Sequence, residues 1–295
     1  PEILNYLKTR IDENRKPGQW MLTGSQNFSL MQNVSQSLAG RVAVLTLLPF
    51  SIPEARGIPE SERSVDAILQ DLFNASKSVP SAAKGKRIPF INWLVRGAYP
   101  ELRANPKVDK QIWCSSYIQT YLERDIRQIL NVGDLHTFSR FLKLCAAHTA
   151  QMLNLSDLAR DTGVSVPTAK RWLSALEASH QIYLLPQYYK NFGKRITKSP
   201  KLYFLDTALI TFLLGLYSDE SIMNGPFLGP LMETVIVSEW LKAFYHRGET
   251  PSIYYWRSRD GLEIDLLVER NDKIYPMEIK STSTLRPDHA GSIIR

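Results

Sequence analysis

The stretch that decides the fold lies near the end of the chain and reads IYYWRSRDGLEIDLLVERNDKIYPMEIK from Ile253 to Lys280. Apolar and polar side chains alternate in residues 262–268 and again in residues 273–280, which is the pattern of half-buried β-strands. Asn271 and Asp272 stand between the two runs, and both residue types tolerate the positive φ of a tight hairpin turn. The pattern therefore predicts two antiparallel strands joined by a two-residue turn.

That hairpin fixes the positions of four charged side chains. Counting from the turn, Asp265 faces Glu278 and Glu263 faces Lys280. Directly opposed side chains have Cβ atoms about 5 Å apart, and two carboxylates at that distance repel each other unless a cation lies between them. A divalent metal ion beside Lys280 would supply that cation, so the hairpin predicts a metal site at Asp265 and Glu278. Strict alternation also predicts an apolar face on the first strand, formed by Leu262, Ile264, Leu266 and Val268.

A predicted helix over residues 229–245 precedes the hairpin and adds further carboxylates. Its helical periodicity predicts an apolar stripe made of Met232, Val235, Ile236 and Ala243. Glu233 lies at the edge of this stripe, and Glu239 falls inside it. Because a charged side chain on a buried face needs a partner, one or both glutamates are expected to face a polar site.

Residues 151–217 carry the pattern of a winged helix. A short helix begins near Ser156, the turn contains Gly163, and a second helix begins at Ser165. Helix, glycine turn and helix of these lengths are typical of helix-turn-helix folds. A strand, a basic loop that would form the wing, and a second strand follow at residues 182–185, 190–198 and 201–205.

Two interpretations of this winged helix remain open. In the first, it contacts DNA through basic side chains on the second helix and the wing, which can reach phosphates. These side chains belong to Lys170, Arg171, Lys194, Arg195 and Lys198. In the second, it is a spacer that packs on its neighbours, and its lysines are simply solvated. The net charge of +7 and the pI near 9.3 favour a polyanionic partner without deciding between them.

The first half of the chain predicts part of an α/β sheet followed by helices. A helix over residues 1–13 precedes two short strands at residues 20–22 and 42–48. The first strand ends in Thr23-Gly24-Ser25, a small polar tip that is typical of phosphate-facing strand ends, although a plain strand, turn and cap fits the spacing too. Further helices are predicted in a connector around residues 65–73 and over residues 108–130 and 138–153.

The cysteine content and the lengths of the apolar runs indicate the cellular compartment that the protein is expected to occupy. Cys114 and Cys145 lack metal-ligand spacing and are predicted to be core thiols in a reducing cytoplasm. No apolar run reaches the roughly 18 residues that cross a bilayer, so no membrane partner is expected. The chain opens directly in an amphipathic helix at Pro1, which suggests a fragment of a longer protein.

Several stretches together resemble a large bacterial and archaeal family of AAA-type ATP-binding proteins that carry a C-terminal domain of unknown function. The resemblance covers the whole chain and is most specific in the block from Gly229 to Lys280, which looks like the PD-(D/E)XK nuclease fold. The other matching stretches are PEIL at residues 1–4, GQWMLTGSQNFSLM at 18–31, SLAGRV at 37–42, LPFS at 48–51, the Gly97–Pro100 turn, and Arg124 and Asp125.

The resemblance implies roles for named residues. Thr23, Ser25 and Arg41 would sense the nucleotide near its γ-phosphate. No G-x-x-x-x-G-K-[ST] motif occurs in the chain, so ATP is expected to bind only in the intact parent, which would supply the missing N-terminal ATPase half. In the nuclease-like domain, the resemblance implies Mg²⁺ chemistry in which Asp265 and Glu278 hold the ion, Glu233 steadies its shell, and Lys280 orients or deprotonates the attacking water.

The expected fold is a multidomain α/β and α+β chain. Its parts are a partial AAA-type α/β module at 1–52, a linker or lid with helices at 53–150, a winged helix-turn-helix at 151–217, and a PD-(D/E)XK nuclease-like α/β domain at 218–295. One function is the C-terminal portion of an ATPase that cleaves DNA with Mg²⁺. The alternative is a non-catalytic nucleic-acid- or protein-binding regulatory module with an inert nuclease fold, so enzymatic activity is left open. DNA and a second copy of the chain are the partners considered.

Overall fold

The computed structural model describes residues 2–24, 38–58, 64–74, 88–122, 135–191 and 198–282, together with residues 193, 195, 284, 286 and 291. Its helices are α1 (Glu2–Glu13), α2 (Ile52–Ala55), α3 (Val65–Asn74), α4 (Phe90–Arg96), α5 (Pro100–Ala104), α6 (Lys110–Tyr117, continued by a π-helical turn Ile118–Leu122), α7 (Leu135–Ala147), α8 (Leu155–Thr162), α9 (Val166–Ala178), α10 (Thr207–Leu213), α11 (Asp219–Met223) and α12 (Leu228–Tyr245). Its strands are β1 (Gln151–Met152), β2 (Ile182–Leu185), β3 (Lys201–Phe204), β4 (Ile253–Arg257), β5 (Glu263–Arg270) and β6 (Lys273–Met277). Among these helices, none combines the length and apolar character that crossing a membrane requires.

The described strands form two small antiparallel sheets that lie side by side. Their strand orders are β1-β3-β2 and β4-β5-β6. A parallel bridge between Gln187 and Tyr255 joins the end of β2 to β4. Around it, the Tyr188 N–H donates to the Tyr255 carbonyl (2.7 Å), and the Tyr255 N–H donates to the Pro186 carbonyl (3.1 Å). Backbone hydrogen bonding therefore continues from one sheet to the other, and the overall arrangement is α+β.

Helix α12 joins two hydrophobic cores. Leu231 and Val235 in its first half belong to a core built mainly from the helices between residues 90 and 223. Its second half packs into another core against β4 and β5, through Val237, Trp240, Leu241 and Phe244. The predicted stripe of four residues was therefore too narrow, because a helix between two cores buries more than one face.

The two cysteines lie in the first of these cores. Cys114 and Cys145 are both buried and form no disulfide. Burial raises the pKa of the Cys114 thiol to about 12 and the pKa of the Cys145 thiol still further. The prediction of two inert core thiols is thus confirmed.

The hairpin turn is confirmed, and so is its register as far as Leu266 opposite Met277, whereas the predicted pairs of Asp265 with Glu278 and of Glu263 with Lys280 lie beyond the ladder. Asn271 and Asp272 have φ values of 51° and 58°, the left-handed conformation that a two-residue turn requires. Arg270 pairs with Lys273 next to the turn, and the pairing runs on to Leu266 opposite Met277. Asp265 and Glu278 are the next two residues beyond this ladder.

The predicted strict alternation along β5 is wrong at one point. Tyr254 pairs with Leu267 while Trp256 pairs with Ile264, so Asp265 and Leu266 together stand opposite Tyr255. This β-bulge shifts the faces of the strand, because an extra residue on one strand interrupts the period of two. Leu266 and Val268 accordingly lie in the second core, whereas Ile264 does not.

The two helices predicted on either side of Gly163 form with small differences from the prediction, and the winged-helix fold as a whole stays a prediction. Helix α8 is capped by Asn154, not Ser156, and Gly163 ends it with φ 84°. The Ser165 side chain caps α9 as predicted. Helix α7 ends at Ala147, short of the predicted residue 153, because residues 148–150 turn and residues 151–152 pair with β3 as β1.

The amino-terminal segment departs most from the prediction. Helix α1 forms, with Leu4 and Leu7 packed against Leu38. The predicted strands at residues 20–22 and 42–48 do not form, and their large apolar side chains are exposed except that of Leu48, which is buried in the second core. A buried strand needs neighbouring strands, and within the described residues no strand adjoins this segment.

The predicted helix over residues 108–130 begins at Lys110 and is described as far as Leu122. Arg124 and Asp125, which carried part of the resemblance, lie outside the described residues, as do Ser25 and Lys194.

Candidate functional site

Six charged side chains meet where β3, α12 and the β5–β6 hairpin come together. We call this group the carboxylate cluster, and its members are Glu233, Glu263, Asp265, Glu278, Lys201 and Lys280. It contains all four residues that the resemblance implied to be catalytic, with α12 supplying Glu233 and the hairpin supplying the rest. Four carboxylates face two ammonium groups and the Arg257 guanidinium, whose Nη1 lies 3.5 Å from Glu263 Oε2, so the cluster still has an excess of negative charge.

One side of the cluster is organised by Lys201, the first residue of β3. Its Nζ lies 2.5 Å from Glu263 Oε1 and 3.6 Å from Glu233 Oε2. The Tyr203 hydroxyl donates a hydrogen bond of 3.0 Å to Glu233 Oε2. The sequence prediction missed Lys201 and Tyr203, although a lysine in the short apolar strand KLYF is a signal, because a buried charge needs a partner.

The other side is formed by Asp265 and Glu278. Asp265 lies in the β-bulge, is 9% exposed, and its Oδ2 accepts a 2.8 Å hydrogen bond from the Ile279 N–H. Glu278 Oε1 accepts a 2.5 Å hydrogen bond from Lys280 Nζ. Glu278 Oε2 is buried and has no hydrogen-bond partner among the described residues. A buried carboxylate oxygen left unpaired is costly, so this atom is the one in the cluster that most needs a ligand.

These two carboxylates fit a hard divalent cation. Within the part of the chain that the structure describes, no three His, Cys, Asp or Glu side chains are arranged to hold a metal ion. Mg²⁺ nevertheless binds commonly through one or two carboxylates, with water and phosphate oxygens completing its shell. Asp265 and the unpaired oxygen of Glu278 are the carboxylate groups that would serve as such ligands, and this assignment stays a prediction. Glu233 is engaged by Lys201 and Tyr203 instead, and its assignment as a third ligand stays a prediction.

Electrostatics within the cluster shift the pKa values of three groups. Burial raises the pKa of Glu233 to about 7, with Lys201 opposing the shift and Asp265 adding to it. Burial lowers the pKa of Lys201, but the charges of Glu233 and Glu263 outweigh it, so the net shift is upward. Burial also lowers the pKa of Lys280, and the hydrogen bond and charge of Glu278 outweigh it. Both lysines are therefore protonated at neutral pH.

The raised pKa of Glu233 predicts a pH dependence of stability. Between pH 4.5, the ordinary value, and about pH 7, the folded chain binds this proton more tightly than the unfolded chain, so stability falls as the pH rises. The full shift corresponds to at most about 3 kcal/mol. We expect Glu233→Gln to flatten the stability profile between these pH values in urea unfolding, whereas exposed Glu220→Gln should not. An unchanged profile in Glu233→Gln would contradict this account.

The predicted DNA-binding residues have unequal surroundings. Arg195 pairs with Glu269 at 2.8 Å, and its guanidinium lies over the rings of Tyr188 and Tyr254. These contacts anchor the loop between β2 and β3 to β5 and leave Arg195 only 12% exposed at its side chain. The other described members of the set, Lys170, Arg171 and Lys198, are exposed. Their contacts with nucleic acid stay a prediction.

The predicted nucleotide-sensing residues lie away from the carboxylate cluster in sequence. Thr23 is exposed in irregular backbone. Arg41 makes two hydrogen bonds to the Asp12 carboxylate on α1, of 2.7 and 2.9 Å. Neither observation tests a role in sensing ATP, and that role stays a prediction.

Helix α12 also carries an ion pair between Glu239 and Lys242 that contacts residues 50–52 of the amino-terminal segment. Glu239 accepts a hydrogen bond from Lys242 Nζ (2.9 Å) and another from the Ile52 N–H (2.8 Å). Lys242 is 2% exposed and also donates to the Phe50 carbonyl (3.0 Å). This pair is the partner that Glu239 was expected to need. Because Glu233 and Glu239 are six residues apart, roughly 9 Å along the helix axis, α12 links residues 50–52 to the carboxylate cluster.

Comparisons with known protein families match three successive segments of the chain. Residues 1–56 match the family model of an AAA domain, residues 88–220 match a domain of unknown function (DUF8612), and residues 228–295 match another domain of unknown function (DUF4143). Two curated relatives, uncharacterized proteins Rv2008c of Mycobacterium tuberculosis (strain ATCC 25618 / H37Rv) and Mb2031c of Mycobacterium bovis (strain ATCC BAA-935 / AF2122/97), are each 30% identical over 284 residues. That alignment covers 96% of this chain and 57% of each relative. No solved structure gives a significant match.

Residues 1–56 are thus similar to part of an AAA domain, and residues 228–295 are similar to a domain of unknown function. The chain spans little more than half the length of the curated relatives it matches, 57% of each. In general, an AAA domain uses ATP with Mg²⁺, and the sequence of this chain contains no P-loop motif.

Proposed function

We propose that the chain is the part of an AAA-type ATPase that acts on DNA, and that its carboxylate cluster binds a divalent cation and cleaves phosphodiester bonds. The observation that carries the proposal is the buried Glu278 Oε2, which has no hydrogen-bond partner among the described residues, while the N–H of the following residue, Ile279, holds the Asp265 carboxylate. An oxygen in that state is an acceptor without a donor, and a hard cation is the ligand that carboxylates of this kind bind.

The residues of the carboxylate cluster would have different roles in the proposed cleavage reaction. Asp265 and Glu278 would hold the ion, and the Ile279 N–H fixes the Asp265 carboxylate for that purpose. A bound Mg²⁺ supplies an activated water and stabilises negative charge developing on phosphate. Lys280 is protonated at neutral pH, which supports a role as a hydrogen-bond donor to water or phosphate rather than as a base.

A non-catalytic module with an inert nuclease fold is the second candidate. The observation that favours it is the pairing within the cluster: Lys201 contacts Glu233 and Glu263, and Lys280 contacts Glu278, so three of the four carboxylates have a lysine partner without a metal ion. In this case the chain would bind nucleic acid or another protein and would not cut.

A cleavage assay separates the two candidates. The intact protein is incubated with linear and supercoiled DNA and Mg²⁺ or Mn²⁺, with and without ATP, beside a Glu278→Ala, Lys280→Ala variant. The nuclease proposal predicts cutting by the parent that EDTA and the double substitution abolish. Equal cutting by both proteins, or none by either, would favour the inert module.

The exposed basic residues give a separate prediction for DNA binding. Replacing Lys170 and Arg171 by alanine is expected to weaken DNA affinity several-fold and to reduce the slope of log affinity against log salt by roughly 2, because each removed phosphate contact releases about one counterion fewer. Fluorescence anisotropy at several salt concentrations measures both. Lys143→Ala, an exposed lysine on α7, is the control and should change neither. An affinity that is indifferent to salt would contradict DNA contact.

A further inference from the structure

The carboxylate cluster includes a lysine that lies outside the matched carboxy-terminal domain. Lys201 falls in the segment matched over residues 88–220, whereas Glu233 and Glu263 fall in the segment matched over residues 228–295. Its Nζ contacts both carboxylates, at 2.5 Å for Glu263 and 3.6 Å for Glu233. The cluster is therefore assembled from two segments of the chain.

The position of Lys201 in its sheet does not explain its charge. Lys201 is 3% exposed, and its partners across the two ladders of β3 are Met152 and Leu185, which are both apolar. A leucine or methionine would pair with them equally well. Burying an ammonium group is unfavourable unless opposite charges compensate it, and here the compensating groups are Glu233 and Glu263.

The carboxylates depend on Lys201 in turn. Burial is the main cause that raises the pKa of Glu233, and the like charges of Asp265 and Glu263 raise it further, so these three carboxylates repel one another. Arg257 Nη1 lies 3.5 Å from Glu263 Oε2, so without Lys201 it is Glu233 that lacks a cation and is expected to turn away or take up a proton. Tyr203, two residues along β3, adds its hydroxyl to Glu233, so one strand supplies both contacts that orient this glutamate.

We propose that Lys201 is a positioning residue of the carboxylate cluster, which holds Glu233 and Glu263 in place and confines the divalent cation to Asp265 and Glu278. The inference rests on the proposed function, because it treats the cluster as the reaction centre. It makes that centre composite, with β3 contributed by the segment that carries the helix-turn-helix elements.

The pairing can be tested without any activity. In the 295-residue chain, Lys201→Met is expected to lower the melting temperature by roughly 6–12 °C, because the half-buried Glu233 loses its cationic partner and Glu263 is left with Arg257 alone. Adding Glu263→Gln should restore at least half of that loss by removing one of these two negative charges. Lys242→Met is the matched control, since Lys242 is as deeply buried but pairs with Glu239, and Glu263→Gln should restore nothing there.

Metal binding supplies a readout that a merely structural role would not produce. Removing the positive charge of Lys201 is expected to tighten Mn²⁺ binding about 3- to 10-fold, measured by electron paramagnetic resonance on the folded variant at low temperature. The cleavage rate at saturating Mn²⁺ should fall at the same time, because Glu233 and Glu263 are no longer held. Lys242→Met should change neither quantity.

The outcomes distinguish this inference from the proposed function. In one outcome, the parent neither binds Mn²⁺ nor cuts DNA, while Glu263→Gln still restores the stability of Lys201→Met. The nuclease proposal then fails and the charge pairing is only structural. The positioning role of Lys201 is overturned as well. If the parent binds Mn²⁺ and cuts DNA but the rescue is absent, or Lys201→Met cuts as fast as the parent, the inference alone is overturned. Rescue together with tighter binding and slower cutting supports both.

Discussion

Glu278→Gln is expected to reduce metal-dependent DNA cleavage by more than about 100-fold, the upper end of the losses seen when a group that merely supports a metal ligand is removed. Glutamine keeps the volume of the side chain but replaces a charged oxygen pair with one neutral oxygen. The buried Oε2, which has no hydrogen-bond partner among the described residues, is then no longer an anionic ligand. Initial rates of DNA cleavage at several Mn²⁺ concentrations measure the effect.

The control for that substitution lies on the same hairpin. Asp272→Asn removes one negative charge at the exposed turn, where φ is 58° and asparagine is well tolerated. This variant is expected to keep more than half of the parent rate. If Glu278→Gln and Asp272→Asn cut equally well, the carboxylate of Glu278 has no part in the chemistry.

Lys242→Met is expected to destabilise the chain by about 3–5 kcal/mol, the range typical when one partner of a buried ion pair is removed. The substitution leaves the Glu239 carboxylate without its cation and the Phe50 carbonyl without its donor. Urea unfolding monitored by tryptophan fluorescence gives the free energy. Lys143→Met, at an exposed site on α7, should change it by less than about 0.5 kcal/mol.

A double substitution tests whether the pair itself is responsible. Glu239→Gln combined with Lys242→Met removes both charges, so it should cost less than Lys242→Met alone. If Lys242→Met unfolds at the same urea concentration as the parent, the Glu239–Lys242 pair does not stabilise the contact between residues 50–52 and α12. The proposed link from the amino-terminal segment through α12 to Glu233 would then be wrong.

The features predicted correctly from the sequence are those that depend on residues close together in the chain. The turn at Asn271 and Asp272 follows from their tolerance of positive φ, and the register of β5 and β6 follows from counting outward from that turn. The bulge at Asp265 was not predictable in this way, because it depends on how β4 pairs with β5 across a connection that sequence alternation does not describe.

Features that depend on distant partners were missed. In the sequence, Lys201 is a single lysine at the start of a short apolar strand. Its role depends on Glu233 and Glu263, which follow it by 32 and 62 residues. The segments at 20–22 and 42–48 have the composition of buried strands, but a strand forms only beside another strand. Apolar composition therefore predicted the wrong backbone there.

The most direct test of the central claim is anomalous diffraction from crystals of the chain soaked in Mn²⁺. The account predicts one ion within coordination distance of the Asp265 and Glu278 carboxylates, and its loss in crystals of Glu278→Gln. Parent crystals that bind no ion there at saturating Mn²⁺, with Lys280 remaining on Glu278 and Lys201 on Glu233 and Glu263, would contradict the claim.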